Sequence, residues 1–308
     1  MKKLIKKFFT IFCICFSLIY ISSCQSVAGV VSVGAMIAGA NGDISMTTAN
    51  SIIDASSSVA NAAEKITPSQ EYFLGRAVGA RILSNYGLYK DDNVQEYLNF
   101  ICQAITLNSE KPALYKGYFV AILDSNEINA FATSGGHILI TKGLLKNVTS
   151  EDELAAVIAH EVSHIHLSHS IKAIKSSRTT EAVLKTGKAL TSTILDDQNE
   201  FLDLMSAFDK DVGEIVSTMV DSGYSKNQEY EADEHALTLL KDAGYNPFAM
   251  KNMLDMLKAF SNDKKGFSKT HPSPKSRINK ISKNLKEYKD FEIPESRIKR
   301  FDEVFPRV

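Results

Sequence analysis

The chain has 308 residues, of which 44% are hydrophobic and 23% are charged. This composition is typical of a globular protein and excludes the disordered and fibrous classes. Its 35 basic and 36 acidic residues give a formal net charge of −1. A protein that binds nucleic acid by neutralising phosphate groups needs an excess of basic residues. We therefore expect no nucleic-acid partner.

The first 23 residues have the pattern of a signal peptide. Four lysines lie near the start, and residues 8–21 form an uncharged, mostly apolar run of 14 residues. A membrane-spanning helix needs about 20 apolar residues. The run is therefore short for a span and typical of the central region of a secretory signal.

The end of this signal resembles the lipobox of bacterial lipoproteins, since Ile21, Ser22 and Ser23 precede Cys24. The resemblance implies cleavage before Cys24 and attachment of lipid to that cysteine. It implies a lipid-anchored protein of the cell envelope. The lack of Asp after the cysteine is compatible with the periplasmic face of the outer membrane. The alternative is an uncleaved membrane anchor in which the cysteine is incidental.

Two regions follow the signal. Residues 24–67 are rich in Ala, Ser and Gly, and we interpret them as a tether that ends in a docking helix, with a flexible linker as the alternative. The main domain is expected over residues 68–308. Helices are predicted over residues 72–83, 93–106, 151–170, 228–240 and 247–259, and strands over residues 117–124 and 137–141.

Residues 171–222 are predicted to form further helices, as an insertion or lid that covers the cleft of the main domain. The expected fold class is therefore α+β, dominated by helices and containing one small sheet.

The most informative stretch runs from His160 to His164 and has the pattern H-E-x-x-H. On a helix these two histidines lie about 40° apart on one face, one turn from each other. Two imidazoles so placed can share one metal ion, most often zinc. Glu161 lies beside this face, where a metalloprotease places its general base. Surface histidines on an ordinary helix are the alternative for the pentad alone.

A third ligand is expected from a later helix. Glu229 and Asp233 lie four residues apart on one face of the helix predicted over residues 228–240. Glu229 can complete a site of two histidines and one glutamate. Asp233 can accept a hydrogen bond from the far nitrogen of a ligand histidine and so fix its tautomer. A solvated acidic helix face is the alternative.

Residues just after the pentad do not supply the third ligand. Leu167 and Ser170 stand where a metzincin carries Gly and His, which excludes that class. On one continuous helix His169 points about 180° away from His160 and cannot reach the same ion.

Further motifs surround the pentad in a definite order. They are Asn129-Ala-Phe-Ala132, Gly135-Gly136-His-Ile-Leu-Ile-Thr141, the H-E-x-x-H pentad, Glu229-Tyr-Glu-Ala-Asp233, and Thr270-His271-Pro272 with Arg277. This order resembles the HtpX-like and CAAX-prenyl-protease-like gluzincins, family forty-eight of the metallopeptidases, and in particular their soluble, lipid-anchored branch. The resemblance covers residues 68–290.

The resemblance implies a zincin fold of the minigluzincin type, with the small sheet beside the active-site helix. It also implies one Zn²⁺ per chain. By this resemblance His160, His164 and Glu229 bind the zinc ion, and Glu161 is the catalytic base.

The same resemblance implies roles for four other residues. Asn129 and Ala130 would lie next to an edge strand that holds the substrate backbone. His271 and Arg277, at the family's H-P-x-x-x-x-R spacing, would lie over the cleft and could stabilise the oxyanion as catalytic groups. The alternative for His271 is a residue that ends a loop before a proline.

The expected function is that of a zinc metalloendopeptidase, anchored to a membrane by lipid. Its expected substrates are polypeptides, namely unfolded or misassembled envelope proteins. One alternative is a non-enzymatic chaperone or assembly lipoprotein, in which a zincin fold holds only structural zinc. A zinc hydrolase of non-peptide substrates is another.

Overall fold

The computed structural model describes residues 35–38, 45, 67–176, 212–213, 216–217, 220, 223–260, 266, 270–271, 274–289 and 291–305. The chain divides into two compact units, residues 1–66 and 67–308. The described part of the first unit is a helical turn at residues 35–38, together with Ser45. The predicted signal peptide, Cys24 and nearly all of the tether lie outside the described residues, as does most of the predicted insertion at residues 171–222. Among the described residues, no helix is long and apolar enough to cross a membrane.

The second unit opens with two capped helices, α1 (Pro68–Tyr86) and α2 (Asp92–Leu107). Thr67 caps α1 because its hydroxyl accepts a hydrogen bond from the backbone of Gln70, whose side chain bonds back to Thr67. Asp91 caps α2 through the backbone N–H of Val94. Local sequence therefore determines both starting points, close to where the apolar spacing predicts them.

The sheet has three strands, β1 (Phe119–Leu123), β2 (Ala130–Thr133) and β3 (His137–Thr141), in the order β1-β3-β2. The central strand β3 runs parallel to β1 and antiparallel to β2. The sequence prediction includes β1 and β3 but not β2 as a strand of its own. All four side chains of β2 are buried, so it lacks the alternation of apolar and polar residues that marks a half-exposed strand.

The turn between β2 and β3 depends on two glycines with positive φ, Gly135 (80°) and Gly136 (98°). A Cβ atom at Gly135 would lie 2.4 Å from the Cα atom of Tyr72, and one at Gly136 would lie 2.3 Å from the carbonyl oxygen of Gly117. Only glycine fits both the conformation and the space. The turn thereby brings α1 close to the sheet.

Two short segments and one long helix follow the sheet: α3 (Lys142–Leu145), α4 (Glu151–His166) and α5 (His169–Ser176). Every residue of α4 is buried, and the hydroxyl of Ser150 caps it through the backbone N–H of Glu153. The prediction of one helix over residues 151–170 is wrong. The chain leaves the helix after His166, and Ser168 has a φ of 54°, which a continuous right-handed helix cannot contain.

The remaining described helices are α6 (Lys226–Asp242), α7 (Ala249–Ala259), α8 (Pro274–Asn284) and α9 (Glu295–Val304), with a 3₁₀ turn at Leu285–Glu287. The central helix α4 packs against β2, α2, α6 and α7, and one apolar core joins them. The sequence prediction lacks α8 and α9. The helix-dominated α+β fold with one small sheet is confirmed.

Candidate metal centre

The central helix α4 holds the two histidines of the pentad side by side. Their Nε2 atoms are 3.1 Å apart, and each of the two residues is only 1% exposed. Their rings meet edge to face, with centroids 4.6 Å apart. The predicted positions of His160 and His164 on one face, one turn apart, therefore hold in the structure.

Helix α6 brings a carboxylate to the same point. Ser225 caps this helix in a capping box with Gln228, so Glu229 follows in the first turn. Its Oε2 atom lies 3.6 Å from Nε2 of His160, and its Oε1 atom lies 3.5 Å from Nε2 of His164. The Glu229 side chain is fully buried. The structure thus brings together the three side chains that the sequence selects as ligands.

His271 joins this group from the segment before α8. Its Nδ1 atom lies 2.9 Å from Oε1 of Glu229 and 3.4 Å from Nε2 of His160. One ligand atom from each of His160, His164, Glu229 and His271 lies within 4.8 Å of the others. The structure therefore places His271 directly at the site. Burial lowers the pKa of His271, but the charge and hydrogen bond of Glu229 outweigh burial and raise it overall.

Asp233 lies one turn beyond Glu229, as its spacing predicts. Its Oδ1 atom is 3.1 Å from Nδ1 of His160, the nitrogen that faces away from Glu229. Burial raises the pKa of Asp233, but Arg277 outweighs burial and holds that pKa below its ordinary value. An ionised carboxylate here fixes the tautomer of His160 and leaves its Nε2 lone pair available.

Arg277 on α8 lies within the packing of the site and not over an open cleft. Its guanidinium donates two hydrogen bonds to Asp233, of 2.8 and 2.6 Å, and its Nη1 atom lies 2.8 Å from Oε2 of Glu229. The side chain is fully buried. Its contacts are those of a counter-ion for two acidic residues of α6, which differs from the expected position facing substrate.

Glu161 is fully buried, and neither of its carboxylate oxygens has a hydrogen-bond partner among the described residues. Its Oε1 atom lies 3.8 Å from Nε2 of His271, beyond hydrogen-bonding distance. Burial is the main cause that raises the pKa of Glu161. Buried carboxylates without partners are uncommon and point to a missing ligand, ion or water.

Two residues that contact His164 were missed by the sequence prediction. Nδ1 of His169 lies 2.9 Å from Nδ1 of His164, and the ring of Tyr224 stacks on His164 with centroids 4.0 Å apart. The break at Ser168 turns His169 back towards the site, which a continuous helix would not do. No local pattern marks Tyr224, because it reaches His164 only through the packing of α6 against α4.

Asn129 and Ala130 lie at the start of β2, an edge strand of the sheet, and both are buried. The hydroxyl of Thr270 donates to Oδ1 of Asn129 at 3.0 Å, and the hydroxyl of Tyr224 donates to the carbonyl of Ala132 at 3.4 Å. The structure therefore places these two residues beside the site. Thr270 is thus in direct contact with Asn129.

The donor set fits zinc. Burial, then the charge of His160, holds the pKa of His164 well below its ordinary value, so this imidazole is neutral and can bind a metal ion. Burial raises the pKa of Glu229, but His271 and Arg277 outweigh it, so this carboxylate is ionised. Two imidazoles and one carboxylate, with an unpartnered carboxylate beside them, match the donor set that catalytic zinc sites use.

Comparison with known proteins identifies one family. The sequence model of peptidase family M48 matches residues 90–285, a range that includes α4, α6 and the residues described above. It thus covers the pentad, the acidic pair of α6 and the segment around His271.

Individual proteins of known name share a quarter to a third of their residues with this chain over the aligned regions. The beta-barrel assembly-enhancing protease of Escherichia coli (strain K12) is 24% identical over 226 residues, which are 71% of this chain and 44% of the relative. A putative protein of the same name from Vibrio cholerae is 26% identical over 74% of this chain and 46% of the relative. The mitochondrial metalloendopeptidase OMA1 of Schizosaccharomyces pombe is 31% identical over 56% of this chain and 45% of the relative. The chain spans less than half the length of these relatives.

Proposed function

The chain belongs to peptidase family M48, and on that premise we propose that it is a zinc-dependent metalloendopeptidase. The observation that carries the proposal is the convergence of His160, His164 and Glu229 beside the unpartnered carboxylate of Glu161. Two helices that are 60 or more residues apart in sequence supply these groups.

His160, His164 and Glu229 would hold the zinc ion. When bound there, zinc acts as a Lewis acid that polarises a carbonyl group and makes water more acidic. Glu161 accepts the proton of the attacking water and delivers it to the amine that leaves the cleaved peptide bond. Its burial suits this exchange, because a raised pKa brings a carboxylate closer to neutral pH.

Neighbouring side chains orient the ligands. Asp233 holds His160 through Nδ1, and His169 contacts His164 through Nδ1. Arg277 joins Asp233 to Glu229, so that the carboxylates of α6 share one positive charge. These residues act on the position and tautomer of the ligands, and none of these contacts requires them to touch substrate.

Binding of substrate is proposed at the edge strand β2. An extended polypeptide would add to the sheet beside Asn129 and Ala130 through main-chain hydrogen bonds, which select unfolded segments over particular side chains. Thr270 is bonded to Asn129, and the adjacent His271 is bonded to Glu229. These two residues would therefore have to move before a substrate strand could enter. His271, bonded to Glu229, is proposed to restrict access to the zinc site in this arrangement. After movement it could stabilise the oxyanion.

The cellular role is proposed from the N-terminal pattern and from the relatives. We propose a lipid-anchored enzyme of the bacterial envelope that hydrolyses unfolded or misassembled envelope proteins. The name of the matched relatives, beta-barrel assembly-enhancing protease, supports this class of substrate. If the chain is a lipoprotein, Cys24→Ala abolishes labelling by a fatty acid, whereas persistent labelling contradicts lipid attachment.

One experiment tests the activity. The zinc content and the hydrolysis of casein are measured for the purified wild-type chain, Glu229→Ala and Glu161→Gln. We expect Glu229→Ala to lose both zinc and hydrolysis, and Glu161→Gln to keep zinc and lose hydrolysis. Hydrolysis that persists in Glu161→Gln would remove Glu161 from the mechanism. A wild-type chain that binds zinc without hydrolysing casein would favour a non-peptide hydrolase or a chaperone.

A further inference from the structure

A second group of metal-binding side chains lies outside the site described above. Glu110 follows α2, His166 is the last residue of α4, and His235 lies in the middle of α6. One ligand atom from each of these three residues lies within 4.8 Å of the others. We propose that these three residues, the outer histidine cluster Glu110–His166–His235, bind a second divalent transition-metal ion such as Zn²⁺.

The hydrogen bonds of His235 leave a lone pair directed at a carboxylate. The hydroxyl of Ser163 donates its proton to the carbonyl of Ala159 at 2.7 Å. It must therefore accept from Nδ1 of His235, 3.0 Å away. In neutral His235 the lone pair is then on Nε2, which lies 2.9 Å from Oε1 of Glu110. Two acceptors that face each other need a cation between them, either a proton or a metal ion.

The hydrogen bonds of His166 also leave a lone pair on one ring nitrogen. The hydroxyl of Tyr118 donates to the carbonyl of Lys111 at 2.8 Å, so it accepts from Nε2 of His166 at 2.7 Å. The lone pair of His166 is then on Nδ1. That atom is buried and has no hydrogen-bond partner among the described residues. The whole residue is only 4% exposed.

These contacts are the outer shell of a metal site. Ligand histidines commonly donate their second ring N–H to an oxygen atom, which fixes the tautomer. Ser163 and Tyr118 provide such an oxygen for His235 and His166, respectively. The resulting donors, two imidazole nitrogens and one carboxylate oxygen, are those that zinc and its neighbours in the transition series accept.

The geometry leaves one side of the cluster open. The side chain of Glu110 is 59% exposed, whereas that of His235 is 15% exposed, so water can complete the coordination. Ligand atoms around tetrahedral zinc lie about 3.3 Å apart when the bonds are about 2.0 Å long. The three ligand atoms lie within 4.8 Å of one another, and the exposed Glu110 side chain has room to adjust towards this value.

The position of the cluster gives the second ion a structural role. His166 and His235 lie on α4 and α6, the two helices that carry His160, His164 and Glu229. On α4, His166 is about 120° or more around the helix from both histidines of the pentad. A metal ion here would therefore fasten the two helices at a second point and hold Glu229 in reach of His160. This inference does not depend on the chain being a peptidase.

Metal analysis tests the proposal directly. The full-length chain is equilibrated with Zn²⁺, dialysed and analysed for bound zinc and for helicity by circular dichroism. We expect two zinc ions per wild-type chain and one per His235→Gln chain. We also expect one zinc ion in a chain with His160→Ala and His164→Ala, and none when His235→Gln is added. One zinc ion in the wild type, with no loss in His235→Gln, would overturn the proposal and leave a proton-bridged pair of Glu110 and His235.

A milder pair of variants guards against misfolding. Glu110→Gln changes one exposed carboxylate, and Glu234→Gln changes the exposed carboxylate next to His235. Titration with Zn²⁺ in the background lacking both pentad histidines should require at least about tenfold more Zn²⁺ for half-saturation in Glu110→Gln, since loss of even an outer partner of a ligand costs about 10–100-fold in affinity. The Glu234→Gln control should titrate like its parent. Equal midpoints for all three proteins, or no zinc-dependent rise in melting temperature in the parent, would contradict the second site.

Discussion

Helix α4 carries two buried polar clusters that differ in how completely their groups are paired. At its N-terminal end the carboxylate of Glu151 is surrounded by donors. Tyr97 donates at 2.5 Å, Tyr245 donates at 3.1 Å, and the guanidinium of Arg300 donates at 2.9 and 2.6 Å. Burial and the hydrogen bond to Glu151 raise the pKa of Tyr97. The hydroxyl therefore remains a proton donor.

At its C-terminal half the pairing is incomplete. His160 and His164 direct nitrogen atoms at each other across 3.1 Å, and Glu161 has no hydrogen-bond partner among the described residues. Glu151 and Glu161 are both buried, at 1% and 0% exposure, so burial of the carboxylate alone does not separate the two clusters. The difference teaches that a satisfied buried network stabilises the fold, whereas buried groups left without partners are typical of a functional site.

Removal of metal should have the largest effect, and it should leave the Glu151 cluster unchanged. After dialysis of the full-length chain against a chelator, hydrolysis of casein is expected to fall to background and to return with Zn²⁺. The melting temperature should also fall, because a ligand at 100 times its Kd stabilises the folded state by about 2.7 kcal/mol. The helical circular dichroism signal should persist. Unchanged hydrolysis in the chelated protein would mean that activity does not depend on a metal ion at the second cluster.

Glu161→Gln should have the next largest effect. General acid–base catalysis contributes about 10²–10⁴-fold to rate, so kcat/KM on a peptide substrate is expected to fall by that factor. Removal of an unpaired buried charge does not cost stability, so the midpoint of urea unfolding should stay constant or rise. A fall in stability without loss of activity would mean that Glu161 stabilises the fold and takes no part in catalysis.

His169→Phe tests how far the second cluster extends. The substitution keeps a ring beside His164 but removes the contact at Nδ1. Loss of such an outer partner weakens metal binding by about 10–100-fold, measured by competition with a chromogenic chelator. Activity at saturating Zn²⁺ should be retained. Glu231→Gln, which alters only the outer neighbour of His169, is the control with a smaller expected change. Equal affinities for all three proteins would show that His169 does not orient His164.

Glu151→Gln should have the smallest effect on catalysis and a measurable one on folding. It leaves Tyr97, Tyr245 and Arg300 with a weaker acceptor, which is expected to lower the free energy of unfolding by about 1–3 kcal/mol. Zinc content and kcat per folded molecule should not change. Tyr97→Phe, which removes one donor, should cost about 1 kcal/mol. Loss of zinc in Glu151→Gln would mean that the two clusters are coupled along α4.

Much of the first site could be predicted from sequence because its residues lie at helical spacings. The four-residue intervals from His160 to His164 and from Glu229 to Asp233 place each pair on one face before any tertiary structure is known. The family resemblance added His271 and Arg277. Neither the helical spacing nor the family resemblance predicted that Arg277 contacts Asp233 and Glu229. The sequence pattern is the same whether the guanidinium faces the cleft or packs against these carboxylates.

Other features could not be read locally. The strand β2 is buried on all its residues and so lacks an alternating pattern. The end of α4 depends on the single residue Ser168 adopting a positive φ, and this break brings His169 to His164. The outer histidine cluster joins Glu110 to residues 56 and 125 positions later, and no interval of helix or strand relates them.

The sequence by itself determined the α4 and α6 faces and the chemical nature of the candidate metal ligands, because backbone periodicity acts over a few residues. Only the tertiary structure decided which groups are paired and which are left without partners. Pairing depends on side chains brought together from distant parts of the chain, and their distances are set by the packing of the common core.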